Sequence, residues 1–264
     1  MIIYKSEEEI GMMRTSGQIV ARILSELKAM IKPGLKTKEL DDFAEARTLE
    51  LGARPAFKGY RGYPASVCTS VNEEIIHGIP SSRGLREGDI ISLDFGVFCD
   101  GFYGDAAITV PVGEVDPQAV RLMAAAEAAF YQGLDRIKVG HRLSDISHAI
   151  QSYVELQGFS VIRSFVGHGI GHSLHEEPQV PNFGPPGRGP RIREGLTLAI
   201  EPMIAAGDWH EEILQDGWTA VTKDRSLAAH FEHTVALTAR GVEILTLREE
   251  EKVRFLSREV NPYA

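Results

Sequence analysis

Four acidic residues occupy places where a charge is costly. Asp94 lies within IISLDFGVF, Asp105 opens DAAITV, Glu201 closes LTLAIEP and Glu232 sits in AHFEHTV. A carboxylate in an apolar, strand-like run is destabilising unless it is paired or bound to a cation. Taken singly, Asp94 or Asp105 reads as a turn or capping residue, and Glu201 or Glu232 equally well as a surface charge at a strand end. An internal repeat changes that judgement. IKPGLKTKELDDFAEARTLELG (31–52) matches IKVGHRLSDISHAIQSYVELQG (137–158) in register, LREGDIISLD (85–94) matches IREGLTLAIE (192–201), and DAAITV (105–110) resembles EHTVAL (232–237). Asp94 thereby falls on the position of Glu201, and Asp105 on that of Glu232. Four acids at symmetric strand positions imply a shared cleft. About four negative charges there call for two divalent cations, and paired metals roughly 3.5–4 Å apart hold a water and polarise a carbonyl. Oxygen donors with one imidazole favour Mn, Fe(II) or Co over a thiolate-rich zinc site, with Zn as the alternative.

The turn between the aspartates sets their faces. Asp100-Gly101 is a two-residue hairpin signal. A turn there places Asp105 opposite Gly96, two residues from Asp94, so both acids share one side of the sheet. A slip by one residue would separate them. Three histidines (His168, His172, His175) fall in FVGHGIGHSLHEEP, where Gly167, Gly169 and Gly171 allow close backbone approach. A lone histidine here reads as structural; three beside a glycine-rich turn favour function. His77, in NEEIIHGIP, reads equally as a cleft residue or a loop histidine. His141, His148, His210 and His230 read as surface or helix residues, and His233 points away from Glu232.

The elements that must position these residues follow from the pattern. Ser6 and Glu9 form a capping box ahead of apolar residues at helical spacing from Ile10 to Leu27, ending at Pro33-Gly34. Thr37 caps a second helix that Gly52 closes. A second helix pair fits 117–137 and 143–157. Strands are expected near 65–71, 89–97, 102–110, 159–166, 195–204 and 231–246, with loops at 54–63 and 181–190. The stretch REEEKVRF (248–255) reads as exposed. The repeat implies a single catalytic domain, 1–264, with halves of about 1–115 and 116–250 sharing one core.

The composition is that of an ordinary soluble chain. The net charge of −9 argues against a broad nucleic-acid surface. No apolar run reaches a membrane-spanning length, and MIIYKSEEEI does not read as a signal peptide. Two cysteines, Cys68 and Cys99, give no disulfide framework and suit the cytoplasm.

Over essentially its full length the sequence resembles the type I methionine aminopeptidases in their short bacterial form. The resemblance is carried by GYRGYPASVCTSVNEEIIHGIP, LDFGVFCDGFYGDAAITV, GHGIGHSLHEEPQVPNFG, TLAIEPM, the Asp216-Gly217-Trp218 turn and HFEHTV. It implies an α+β pita-bread (creatinase/aminopeptidase-like) fold: two pseudo-symmetric halves with a curved antiparallel sheet covered by helices. It implies two divalent metal ions (Co, Mn, Fe(II) or Zn) held by Asp94, Asp105, His168, Glu201 and Glu232, with Asp105 and Glu232 bridging. Glu201 would also shuttle protons, and His77 and His175 would stabilise the tetrahedral intermediate. Tyr60, Tyr63, Cys68 and Trp218, with Phe57 and Leu174 at more variable positions, would line the methionine pocket. The expected substrate is the initiator methionine of nascent polypeptides, met by a cytoplasmic monomer in transient contact with the ribosome. The alternatives are an Xaa-Pro aminopeptidase or dipeptidase of the same fold, which usually carries a separate N-terminal domain, and a non-enzymatic pita-bread binding protein, which typically loses metal ligands.

Overall fold

The computed structural model describes residues 1–252. Helix α1 (Glu7–Met30) begins at the Ser6–Glu9 capping box and buries Ile10, Met13, Val20, Ile23, Leu24 and Leu27 along one stripe. Helix α2 (Thr37–Glu50) starts one residue earlier than its sequence suggests. Lys36 is the N-cap, and its main-chain N–H donates to Glu39 at 2.9 Å. Thr37 instead spends its hydroxyl on Ser81, donating to the carbonyl at 3.2 Å and accepting from the N–H at 2.8 Å. Helices α3 (Pro117–Leu134) and α4 (Leu143–Leu156) repeat the arrangement. At α4 the Arg142 N–H donates to Asp145 at 2.8 Å, and the isolated bridges Lys36–Gly84 and Arg142–Arg191 fall at equivalent places in the two halves.

The helices pack on a nine-stranded antiparallel sheet. Its path runs Arg54–Pro55, Ile90–Cys99, Phe102–Pro111, Glu232–Thr238, Thr197–Ile200, Gly167–Gly169 and Glu176–Val180, with Cys68–Val71 beside Ile90–Cys99 and Gly241–Ile244 beside Glu232–Thr238. Leu93, Phe95, Val97, Ile108 and Val235 belong to the core shared with the helices. Strand alternation therefore turns Asp94, Asp105 and Glu232 to the other face.

Several expected strands are shorter. The run 159–166 pairs only at Ser160–Val161; beyond it Phe165 and Val166 leave the ladder to line a cavity. The run 195–204 is interrupted at Glu201-Pro202, where proline supplies no N–H. It then resumes as Met203–Ala205 in a separate three-stranded sheet with Ala228–His230. The segment after Leu247 is not simply exposed. Arg248 and Glu251 are buried and ion-paired, and Glu251 also lies 3.4 Å from His233 Nε2. Opposite charges that neutralise each other can be buried where a lone charge cannot. Val253–Phe255 lie outside the described residues.

Candidate active site

The hairpin aligns the two aspartates. Asp100 and Gly101 adopt φ of 50° and 87°, suiting a two-residue turn. Cys99 pairs with Phe102, which brings Gly96 opposite Asp105 and Asp94 opposite Ala107. The acids are diagonal neighbours on one face, as the turn requires. Glu232 enters across the seam between the halves, opposite Ala107, with His233 opposite Ala106. Among the described residues only these two positions pair across the seam. Beyond them threonine hydroxyls replace the ladder. Thr234 Oγ1 accepts from the Asp105 N–H (3.0 Å) and donates to its carbonyl (2.8 Å). Thr109 Oγ1 treats the N–H and carbonyl of His230 alike, at 2.8 Å each. The strands thus splay apart while keeping register, opening room for side chains. Glu201 arrives from the end of the adjacent strand.

All four carboxylates are buried, and Asp94 Oδ1, Asp105 Oδ1 and Glu232 Oε1 have no hydrogen-bond partner among the described residues. Burial pushes the Asp94 carboxyl up to about 7, and the Cys68 thiol opposite it resists the shift by donating. Burial, then the neighbouring acids, holds Asp105, Glu201 and Glu232 well above the usual carboxylate range. A buried group of acids with orphaned oxygens fits divalent cations, which replace the missing donors and cancel the repulsion. Asp105, His168 and Glu232 present ligand atoms within 4.8 Å of one another, as do Glu201, His230 and Glu232.

His168 is wired as a donor of its Nε2 lone pair. Its Nδ1–H donates to the Gly169 carbonyl at 2.8 Å, which leaves Nε2 bare, 3.5 Å from Glu201 Oε1. Glycine on either side is required by packing. A Cβ on Gly167 would meet the Ala199 carbonyl oxygen at 2.5 Å, and one on Gly169 the Glu177 carbonyl oxygen at 2.3 Å. His175 follows in the same segment, its ring centroid 4.1 Å from that of His168 and stacked on Tyr60 at 5.3 Å. A buried ion pair between Lys5 and Glu176 ties this segment to the start of the chain. His77, with φ of 61°, comes from the first half and meets Phe165 and Trp218 edge-on. Burial lowers His77 to about 4 and His175 to about 3, so both rings are neutral near pH 7.

Phe57, Tyr60, Tyr63, Cys68, Leu174 and Trp218 line the same cavity of about 180 Å³ as the four acids, His77, His168 and His175. Arg61, Ile76, Phe165 and Val166 also line it; the sequence carries no pattern that singles them out. His141 is half-buried, and His148 and His210 are exposed. His230 departs from its expected surface position. It is 1% exposed, with Nε2 3.8 Å from both Glu201 and Glu232. Its place two residues before Glu232 in an apolar run was the available signal, since alternation gives residues two apart the same face.

The model of metallopeptidase family M24 matches residues 11–239. The chain belongs to that family. This M24 chain is 53% identical over 246 residues to methionine aminopeptidase 1 of Bacillus subtilis, covering 93% of this chain and 99% of the relative. It is 51% identical over 247 residues to the methionine aminopeptidase of Clostridium perfringens, covering 94% and 99%. Among solved structures, the methionine aminopeptidase of Thermotoga maritima superposes with a TM-score of 0.92 at 47% identity, covering 94% of this chain and all (100%) of that one. Prolidase from Pyrococcus furiosus shares the fold alone, at a TM-score of 0.77 and 20% identity, covering 94% and 66%. The M24 chain thus has the pita-bread α+β fold, and its buried acids and imidazoles form a cluster able to bind metal.

Proposed function

We propose that this metallopeptidase removes the N-terminal methionine from peptides and newly made proteins by two-metal hydrolysis. The observation that carries the reading is a group of buried acids with orphaned oxygens at the wall of an apolar, aromatic cavity. The chain acts as one catalytic domain, its halves (about 1–115 and 116–250) meeting at the site. Asp94, Asp105, His168, Glu201 and Glu232 would hold two divalent cations of the Mn, Fe(II), Co or Zn class. When bound, the cations supply positive charge that polarises the substrate carbonyl and lowers the pKa of water. Glu201 takes a proton from the attacking water and passes it to the leaving amine. His77 and His175, neutral at working pH, each keep one N–H to donate to the carbonyl oxygen as charge builds there. Phe57, Tyr60, Tyr63, Cys68, Leu174 and Trp218 receive a flexible, unbranched thioether.

The free cysteines Cys68 and Cys99 suit a reducing cytoplasm, the compartment of nascent chains. There the chain works as a monomer in transient contact with the ribosome. Among the described residues no helix is long and apolar enough to cross a membrane.

The test is cleavage of Met-Ala-Ser against Ala-Pro-Ala, with Mn, Fe(II), Co or Zn added to chelator-treated protein. Metal-dependent methionine release from the first peptide alone is expected. Preference for Ala-Pro-Ala would make the chain an Xaa-Pro enzyme, and no cleavage under any metal would make it a binding protein. Formyl-Met-Ala-Ser should be inert, because acylation removes the amine lone pair and adds bulk beside the acids. Comparable kcat/KM for the formyl and free peptides would sink the exopeptidase reading.

A further inference from the structure

We propose that His230 is a sixth residue of this centre, a positioning residue whose ring N–H holds Glu201 and Glu232; the inference rests on the metal-centre reading above. Two imidazoles bracket the Glu201 carboxylate. His168 Nε2 lies 3.5 Å from Oε1, and His230 Nε2 lies 3.8 Å from Oε2 and equally 3.8 Å from Glu232 Oε2. The two rings are wired differently, and the wiring separates their roles.

The Nδ1–H of His168 is pinned on the Gly169 carbonyl, so its Nε2 offers a lone pair, as a metal ligand must. No such acceptor meets His230. Both its ring nitrogens are buried without a hydrogen-bond partner among the described residues. A proton on Nδ1 would leave a buried donor with nothing to accept it, the costlier kind of orphan. A proton on Nε2 instead faces two carboxylate oxygens. That tautomer makes His230 a donor to the acids rather than a donor to metal.

The main chain reinforces the assignment. Thr109 grips both the N–H and the carbonyl of His230 across the seam, and Ser92 Oγ lies 2.8 Å from the Thr109 hydroxyl. Met203 pairs with His230 on the other side, next to the Glu201-Pro202 break. The backbone that carries the ring is therefore held from both halves. Closing 3.8 Å to an ordinary hydrogen bond of about 3.0 Å needs a carboxylate movement under an ångström. In the first half the Cys68 thiol sits on the strand position directly opposite Asp94. His230 sits likewise beside the glutamates of the second half.

The test compares wild type, H230L, H230N and H230Q in calorimetric titrations of chelator-treated protein with Mn(II). H230Q keeps an N–H donor of similar reach and should bind within about threefold of wild type. H230L has none, and H230N is too short to reach both acids. Both should lose about 10–100-fold in metal affinity, the usual effect of removing a partner of a ligand. Should H230L fail to fold, H230N and H230Q carry the comparison, checked by metal-free melting. Electron spin-echo spectra of Mn(II)-loaded wild type should show one coordinated imidazole, unchanged in the variants. Wild-type affinity in H230L or H230N, or failure of H230Q to retain affinity, would overturn the proposal. So would a second coordinated imidazole that disappears in the variants, which would make His230 a ligand. Wild-type protein that takes up no divalent cation would instead overturn the metal-centre reading itself.

Discussion

The two halves share a plan but deliver their acids differently. In the first half, Asp94 and Asp105 project from the middle of two long strands joined by a tight hairpin, Ile90–Cys99 and Phe102–Pro111. In the second half, Glu201 follows the last residue of the short strand Thr197–Ile200, and Glu232 is the first residue of Glu232–Thr238. The longer side chain appears where the backbone stops short of the cleft, and the shorter one where the backbone runs beneath it. The first half is a platform of ten paired positions. The second adds the imidazole His168, from the strand Gly167–Gly169 that pairs with Thr197–Ile200 as Cys68–Val71 pairs with Ile90–Cys99, and a proline break directly after Glu201. This contrast predicts that chemistry is concentrated in the second half.

The largest effect tests that prediction. Glu201→Gln should nearly abolish turnover, by several kcal/mol in the barrier, because in the proposed mechanism it removes a metal-holding charge and the proton carrier together. Asp94→Asn should cost less, since it removes only a charge. A Glu201→Gln enzyme retaining more than about a tenth of wild-type rate, a ~1.4 kcal/mol effect, would end the distinction.

The halves also anchor their cavity-lining loops by different means. In the second, Lys5 and Glu176 are buried together, and Glu176 also accepts from the Ser173 N–H at 3.1 Å. In the first, the Tyr63 hydroxyl donates to the Gly78 carbonyl at 3.0 Å. Lys5→Met leaves a buried carboxylate without its partner and should cost about 3–5 kcal/mol of stability. Tyr63→Phe removes one neutral hydrogen bond and should cost about 1 kcal/mol. Denaturant titrations giving the two variants equal losses would refute the difference in anchoring.

Apart from His230, which lies behind the acids, each half lines the cavity with one imidazole outside the expected ligand set, His77 and His175. His175→Ala should lower kcat by about 10²-fold, the usual result of losing one donor to a developing oxyanion, while metal content stays at wild-type level. Mass spectrometry finding one metal lost per chain would reassign His175 as a ligand.

The smallest effect concerns metal-free protein. Burial raises Asp94 from 3.8 to about 7, so the native state holds a proton that the unfolded chain has shed. Stability from this group is therefore full below about pH 4 and declines as pH rises towards 7. Asp94→Asn should melt higher than wild type at pH 7.5 in chelator, by roughly 2–4 °C for each kcal/mol recovered, with the gap vanishing near pH 4. A gap that widened on acidification would have the wrong sign. Saturating metal should reverse the ranking, because cations then stabilise the ionised acid.

The parts of the molecule that were legible in advance are those set by short-range rules. The Ser6–Glu9 box places the start of α1. The Asp100-Gly101 turn alone fixes the register that puts Asp94 and Asp105 on one face. The repeat announced two matched helix pairs, because each half must bury the same apolar stripe. Thr37 misled because capping chemistry and a tertiary bond to Ser81 use the same hydroxyl. Arg248 and Glu251 misled because a run of charges gives no sign that two of them will pair inside.

Sequence by itself determined the local geometry and the types of residue available for chemistry: turns, caps, alternation and four acids in apolar runs. Tertiary structure decided which distant groups meet. Thr234 grips Asp105, Thr109 grips His230, and Lys5 finds Glu176, each across more than a hundred residues of chain. No period or spacing encodes such pairs. They exist because the two halves close against each other, and buried polar groups on either side must then find partners in the other half.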